Sequence, residues 1–284
     1  MQTVKTHQLL FIIFSIILIG VNYYLPNILN NDNALIIVLI LIGTIGLSHG
    51  AIDGKIIYYA NCSRIKIFFL FLVYLLIVFL GLLLWFNFPA IGLSLLLIMS
   101  VIHFGNSDLY YLKKNLLIKF FWGLMMTLFP IMFYPEIVNE IFNILTKTNI
   151  PLNIFIFVQD LLTILSILLS LLLVLPTQSN KLILFEFIIL MILAKIFHPL
   201  IWFGLYFCGA HGVRALIAEK FRIYPDLSWL VIFSIPVIMT LYFLTGQNVF
   251  EYSVDLYSIF PVVAALTISH MLLPKIIAVI ENYR

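Results

Sequence analysis

Residues 182–222 read LILFEFIILMILAKIFHPLIWFGLYFCGAHGVRALIAEKFR, and whether this stretch crosses a membrane once or twice decides the fold. A span needs about 20 apolar residues, and this stretch is long enough for one tilted helix or two short ones. The candidate break is Lys195-Ile196-Phe197-His198-Pro199. Proline removes a backbone donor and disfavours helical geometry in the residue before it. Charge placement favours the break, because cytoplasmic ends of spans carry the excess of Lys and Arg.

Working outward, apolar runs at 8–25, 34–52, 67–87, 90–109, 117–134, 152–175, 228–246 and 258–277 are the other candidate spans. With Lys5 in the cytoplasm and the spans alternating, Lys55, Arg64, Lys66, Lys113, Lys114 and Lys119 fall inside. The segment 25–33 falls outside without a single Lys or Arg, and 135–151 falls outside with Glu136, Glu140 and Lys147. One helix through 182–217 would strand Lys220 and Arg222 on the outer side. Two helices return them inside, and of the 15 basic residues only Lys147 and Lys195 are then external. The expected fold is all-α: a polytopic helical bundle of about ten transmembrane helices, both termini cytoplasmic, forming one domain over 1–284.

Composition agrees. The chain of 284 residues is 64% hydrophobic and 10% charged, with a mean hydropathy of +1.17; soluble domains run nearer 45–50% apolar and about 25% charged. So little charge cannot cover a water-soluble globule, which excludes a cytosolic enzyme, a nucleic-acid binder and a disordered protein. Cys62 and Cys208 fit no disulfide framework and no zinc pattern and read as small apolar fillers. The run from Leu9 continues to Tyr24 with no small-residue cleavage site, so it reads as a first span and not as a signal peptide.

Six histidines stand in this apolar background. His7 reads as solvated on the N-terminal flank, and His198 as a cap or packing residue beside Pro199. The other four behave as a group. His103, His211 and His270 each follow the outer start of a span by about 12 residues and His49 by about 15, a depth of roughly 18–22 Å at 1.5 Å per residue. Four imidazoles at one level, on helices of one direction, point to a shared site, because ionisable groups inside hydrocarbon face the bundle interior or a cavity. Asp53 lies four residues after His49 and shares its helix face. Asp108 lies five after His103, and Arg214 three after His211. The two carboxylates are expected either to pair with nearby bases or to orient an imidazole. Arg214 is expected to snorkel to the inner surface or to anchor Asp53 or Asp108.

Imidazole ligands without thiolate suit Zn, Cu, Fe or Ni. Four nitrogens on a six-coordinate ion leave two open positions, which favours oxygen chemistry on iron over a closed zinc site. Axial ligation of haem by a histidine pair is the alternative metal use, and a transporter with intramembrane His and Asp remains open. No HExxH and no GxSxG occurs, so the zinc-protease and serine-hydrolase readings lapse.

The local sequences are SHGAID at 48–53, HFGNSD at 103–108, LYFCGAHGVRA at 205–215 and LTISHMLL at 266–273. In order and spacing they resemble the Brp/Blh family of bacterial and archaeal membrane β-carotene 15,15′-dioxygenases, whose pattern is PHGAxD, HFGxxD, YF…HSxRH and LTxPHM. The resemblance covers 49–274. It implies a plasma-membrane oxygenase holding non-haem Fe²⁺ through histidines, His49, His103 and His211 among them, which splits the central double bond of β-carotene with O₂ to give two retinals. It also implies a lipophilic substrate taken from the bilayer and functional coupling to a retinal-binding rhodopsin. Ser48 and Ser269 stand where the family has proline, and Ala215 stands where it has a second histidine one turn after His211. Either His270 completes the ligand set, or three histidines hold the iron, or the reaction is lost. His270, level with the others, is the fourth candidate ligand.

Overall fold

The computed structural model describes residues 2–25, 34–41, 47–112, 115–174, 178–222, 224, 226–229, 231–232, 235, 239 and 256–282. All regular structure among them is helical. In chain order the helices are α1 (Gln2–Tyr24), α2 (Ala34–Leu41), α3 (Leu47–Tyr58), α4 (Arg64–Asn87), α5 (Pro89–Asp108), α6 (Leu116–Leu128), α7 (Pro135–Thr146), α8 (Leu152–Val174), α9 (Gln178–Ile196), α10 (Pro199–Gly204), α11 (Val213–Ala218) and α12 (Leu256–Asn282). A 3₁₀ turn, Phe129–Met132, follows α6, and a π-helical segment, Leu205–Gly212, joins α10 to α11.

Among the described residues six helices are long and apolar enough to cross a membrane: Thr3–Tyr24, Arg64–Asn87, Pro89–Asp108, Leu152–Val174, Pro199–Ala218 and Ile259–Glu281. A bent pair, Leu116–Met132 with Pro135–Thr146, folds through 103° and is a seventh if it counts as one span. This is an integral membrane protein. Its spans carry the large apolar side chains outward, as lipid contact requires: Phe68, Leu75 and Phe79 on α4 and Phe157, Ile164 and Leu171 on α8 are all exposed. Their few hydroxyls are satisfied within the helix, where Ser94, Thr163 and Thr267 each donate to the carbonyl four residues back.

The decisive stretch is broken where expected. α9 ends at Ile196, Pro199 opens α10, and the His198 ring caps the new helix by accepting from Leu200 N at 3.3 Å. α9 carries Lys181, Glu186 and Lys195, more charge than the six clear spans tolerate. The expected span 34–52 corresponds to α2 and α3, and residues 42–46 between them lie outside those described; so does most of 228–246. The segment 135–151, read as an outer loop, forms α7 over most of its length.

The chain divides into two compact units, each built from separated segments. The first comprises 1–46, 100–141 and 150–221. Its centre is aromatic: Trp122, Phe129, Phe187, Trp202 and Tyr206 are all at most 1% exposed. Phe129 stacks on Phe187 at 5.3 Å, Trp202 stacks on Tyr206 at 5.4 Å, and the Trp202 indole donates to Leu190 O. The second unit comprises 47–99, 142–149 and 222–284. There α12 packs along α4, with Trp85 against Phe260 and with Ile57, Leu70 and Leu273 forming a buried cluster.

Two glycines set the closest helix crossing of the first unit. A Cβ on Gly105 would stand 2.1 Å from Lys119 O, and one on Gly123 would stand 1.8 Å from Val101 O. The α5 and α6 backbones therefore touch beside His103, which accounts for the glycine of the HFG stretch. Gly105→Ala and Gly123→Ala should each destabilise the protein by about 1–3 kcal/mol or more through overpacking. Gly20→Ala, where a Cβ meets nothing within 4 Å, should be neutral or stabilising. Thermal unfolding in detergent micelles separates the three.

Candidate metal centre

In the first unit the chemistry gathers on Asp108, the last residue of α5 and fully buried. Its Oδ1 accepts from His211 Nδ1 at 2.7 Å. Its Oδ2 accepts from the Trp122 indole N–H at 2.9 Å and from the Tyr206 hydroxyl at 2.8 Å. A carboxylate only accepts, so a proton of His211 sits on Nδ1, and Nε2 is the nitrogen left to face a metal. His103, five residues before Asp108 on α5, has its ring centroid 5.1 Å from that of His211, a separation compatible with both rings binding one ion. Phe104, Phe207 and Tyr206 surround the His211 ring at centroid distances of 4.7, 5.9 and 6.1 Å.

The π segment makes this possible. In an α-helix, residues five apart lie about 140° apart around the axis. An i→i+5 turn stacks them instead, so Tyr206 and His211 reach the same carboxylate from one strand of helix. Such widened turns concentrate at functional sites.

Behind Asp108 lies a buried ion network. Arg214 is 1% exposed and pairs with Glu186 Oε1, while its other terminal nitrogen contacts Asp108 O at 3.4 Å. Gln8 on α1 donates to Glu186 Oε2 at 2.7 Å and to the Tyr111 hydroxyl at 3.2 Å. Arg214 therefore anchors rather than snorkels, and Asp108 is one of its two partners as expected. His7 departs from expectation. It is buried, and its Nε2 donates to Gly209 O at 3.2 Å in the π segment. His7 lies in the first turns of α1, which pack against that segment.

The second unit holds its own constellation. Asp53 on α3 is 2% exposed; its Oδ1 accepts from His270 Nδ1 at 2.7 Å and its Oδ2 from the Tyr74 hydroxyl at 3.0 Å. His270 is thus presented like His211, with Nε2 left to face a metal. Ser269 beside it donates to Tyr74 O, tying α12 to α4 at the same level. His49 lies on α3 near its start, and its side chain falls outside the described residues. At the end of this helix Lys55 pairs with Asp226 at 2.6 Å. Both carboxylates thus hydrogen-bond an imidazole, and Asp108 also lies 3.9 Å from the Arg214 guanidinium, so the two expected partnerships coexist there.

These donor sets fit a bound cation. Around Asp108 the buried formal charges are two negative, Asp108 and Glu186, and one positive, Arg214. In the second unit Asp53 is likewise buried and held by Tyr74 and His270. Buried carboxylates are costly in an apolar medium unless hydrogen-bonded or paired, and imidazoles held by them at Nδ1 suit a divalent transition metal. Among the described residues no three His, Cys, Asp or Glu side chains already form a metal cluster. Tyr74, Tyr206, Trp122, Gln8 and Glu186 were not read from the sequence. Two of them carried a signal: Glu186, an acid in the middle of an apolar run, and Tyr206, which stands in the LYFCGAHGVRA stretch.

Comparison with known proteins follows the same line. Residues 40–278 match the family described as beta-carotene 15,15′-dioxygenase. A curated relative of that name from Uncultured marine bacterium 66A03 is 30% identical, the match covering 83% of this chain and 90% of the relative. No solved structure matches.

Arg214→Met should cost about 3–5 kcal/mol, the scale for breaking a buried pair from one side, because it leaves Asp108 and Glu186 together without a counter-charge. Lys147→Met, at an exposed position, should cost under about 1 kcal/mol. Equal unfolding midpoints for the two variants would contradict the network.

Proposed function

The chain belongs to the beta-carotene 15,15′-dioxygenase family, and on that premise we propose that it is a membrane oxygenase cleaving β-carotene, or a close carotenoid, at the central double bond to give retinal. Fe²⁺ would be the cofactor, held by His49, His103, His211 and His270, with Asp53 and Asp108 orienting His270 and His211. The observation that carries the reading is the carboxylate-bound, fully buried His211 beside His103. We further propose ten spans with both termini cytoplasmic, residence in the plasma membrane, and a retinal product passed to a rhodopsin.

The balance of the reaction matches the residues available. The central C=C bond and the O=O bond break, two C=O bonds form, and each aldehyde keeps one oxygen atom. No net proton or electron enters or leaves, so the site requires no general acid or base. Iron, when bound, supplies the centre at which dioxygen reacts with the polyene. The chain's own residues hold and orient. Asp108 and Asp53 fix the ring planes and tautomers of His211 and His270. Arg214 keeps Glu186 and Asp108 from repelling each other. Phe104, Phe207 and the Trp202–Tyr206 stack keep the surroundings dry and apolar, as a hydrocarbon substrate requires.

Ala215 gives a second reading its footing. It is buried one turn after His211, where an imidazole would otherwise stand, so a relative that binds metal or haem without cleaving carotene is the competing function. Expression in a bacterial host that accumulates β-carotene, followed by pigment extraction, separates the two. The proposed function predicts bleaching with retinal formation and no Soret band in the purified protein. An unbleached pellet with the protein present in the membrane, or an intense Soret band, supports the competitor. His49→Ala and His103→Ala should each abolish both bound iron and retinal formation; full activity in either sinks the ligand assignment.

A further inference from the structure

The two units repeat one small device. In each, a helix that carries a motif histidine supplies an aspartate: Asp53 on the helix of His49, Asp108 on the helix of His103. In each, Oδ1 of that aspartate takes the Nδ1–H of a histidine from elsewhere in the chain, at 2.7 Å in both cases. In each, Oδ2 takes a tyrosine hydroxyl, from Tyr74 at 3.0 Å and from Tyr206 at 2.8 Å. The order Tyr–Asp–His, with the same oxygen assignment, arises from different elements: α4 and α12 in one unit, the π segment in the other.

From this recurrence we propose that Tyr74 and Tyr206 are positioning residues for metal binding, each locking its aspartate so that the paired histidine presents Nε2 in a fixed direction. The inference rests on the iron-site reading above and extends it to two residues outside the ligand set. A carboxylate bonded to imidazole alone turns about its Cβ–Cγ bond and can offer either oxygen in several orientations. A phenol on Oδ2 removes that freedom and dedicates Oδ1 to the ring N–H. Ligand direction is set by such outer partners, whose loss typically weakens metal binding about 10–100-fold. In the first unit the Trp122 indole also holds Oδ2, whereas Asp53 has Tyr74 in that place. The effect of losing the hydroxyl is therefore larger at Tyr74 than at Tyr206.

The bonds on the tyrosines argue for this role over simple packing. Tyr74 is half-buried, and its ring packs against the Ile57, Leu70 and Leu273 cluster, a contact that phenylalanine preserves. Tyr206 is fully buried against Trp202 and Phe104, contacts that phenylalanine preserves. Deleting each hydroxyl therefore separates positioning from packing.

The test uses the full-length protein purified in detergent and freed of metal, titrated anaerobically with Co²⁺, whose ligand-field absorption reports both affinity and geometry. Tyr74→Phe and Tyr206→Phe are compared with Tyr134→Phe, which loses a hydroxyl bonded only to the Lys195 carbonyl. The expected result is a fall in Co²⁺ affinity of about 10–100-fold for Tyr74→Phe and a smaller fall for Tyr206→Phe, each with an altered cobalt spectrum. Tyr134→Phe should bind like the wild type. Unchanged affinity and spectrum in both variants overturns the inference while leaving the iron site standing. Loss at Tyr206 alone also overturns it, because the paired device then has one working copy. A wild type that binds no Co²⁺ and no Fe²⁺ overturns both the inference and the iron-site reading. Should Tyr206→Phe fail to accumulate, the half-buried Tyr74→Phe carries the test by itself.

Discussion

The structure turns on one rule of the bilayer interior: a charge placed there must be met by hydrogen bonds and counter-charges from the same protein. Asp108 obeys it by accepting from three side chains on two elements, Trp122 of α6 and Tyr206 and His211 of the π segment, while itself ending α5. Those bonds pin α6 and the π segment to the end of α5. The close α5–α6 crossing at Gly105 and Gly123 brings Trp122 within reach, and the Arg214–Glu186 pair with Gln8 adds α1 and α9 to the same network. A carboxylate that looks like a liability in hydrocarbon is thus the junction of the first unit.

What the sequence disclosed and what it withheld follow from how local each signal is. Pro199 acts on its own backbone, so the break between α9 and α10 was legible, and so was the capping role of His198. The membrane class was legible because composition sums over the whole chain. His103 and His211 were legible as a group because depth along a span can be counted from span ends. Partner choice is different. Nothing in SHGAID says that Asp53 will meet His270, more than 200 residues later, and nothing about Tyr74 distinguishes it from the other 13 of the 14 tyrosines. His7 misled for a related reason: its place near the chain start suggested water, while the contact that buries it comes from Gly209. Helix α7 was read as loop because its polar and apolar residues alternate too densely for a span, although they suit a helix lying across the end of one.

The two units hold their histidines in different kinds of packing. The second unit is held by long helix-on-helix contact between α4 and α12 with aliphatic side chains at its centre, whereas the first is packed with stacked rings around His211. Rigid aromatic packing fixes an imidazole more firmly than aliphatic packing does, because rings have few rotamers to exchange.

The widened turn at Leu205–Gly212 has a consequence for how this stretch of chain tolerates change. A π segment holds more residues per turn than the α-helices that flank it. Deleting one residue between Tyr206 and His211 would leave the two four apart, and in ordinary α geometry residues four apart again share a face. The turn that gives up its extra residue absorbs most of the rotation. The same deletion within a plain α-helix has no such outlet and swings everything beyond it by about 100° around the axis. The widened turn is therefore where this stretch of chain can change its length and still keep both side chains on one face.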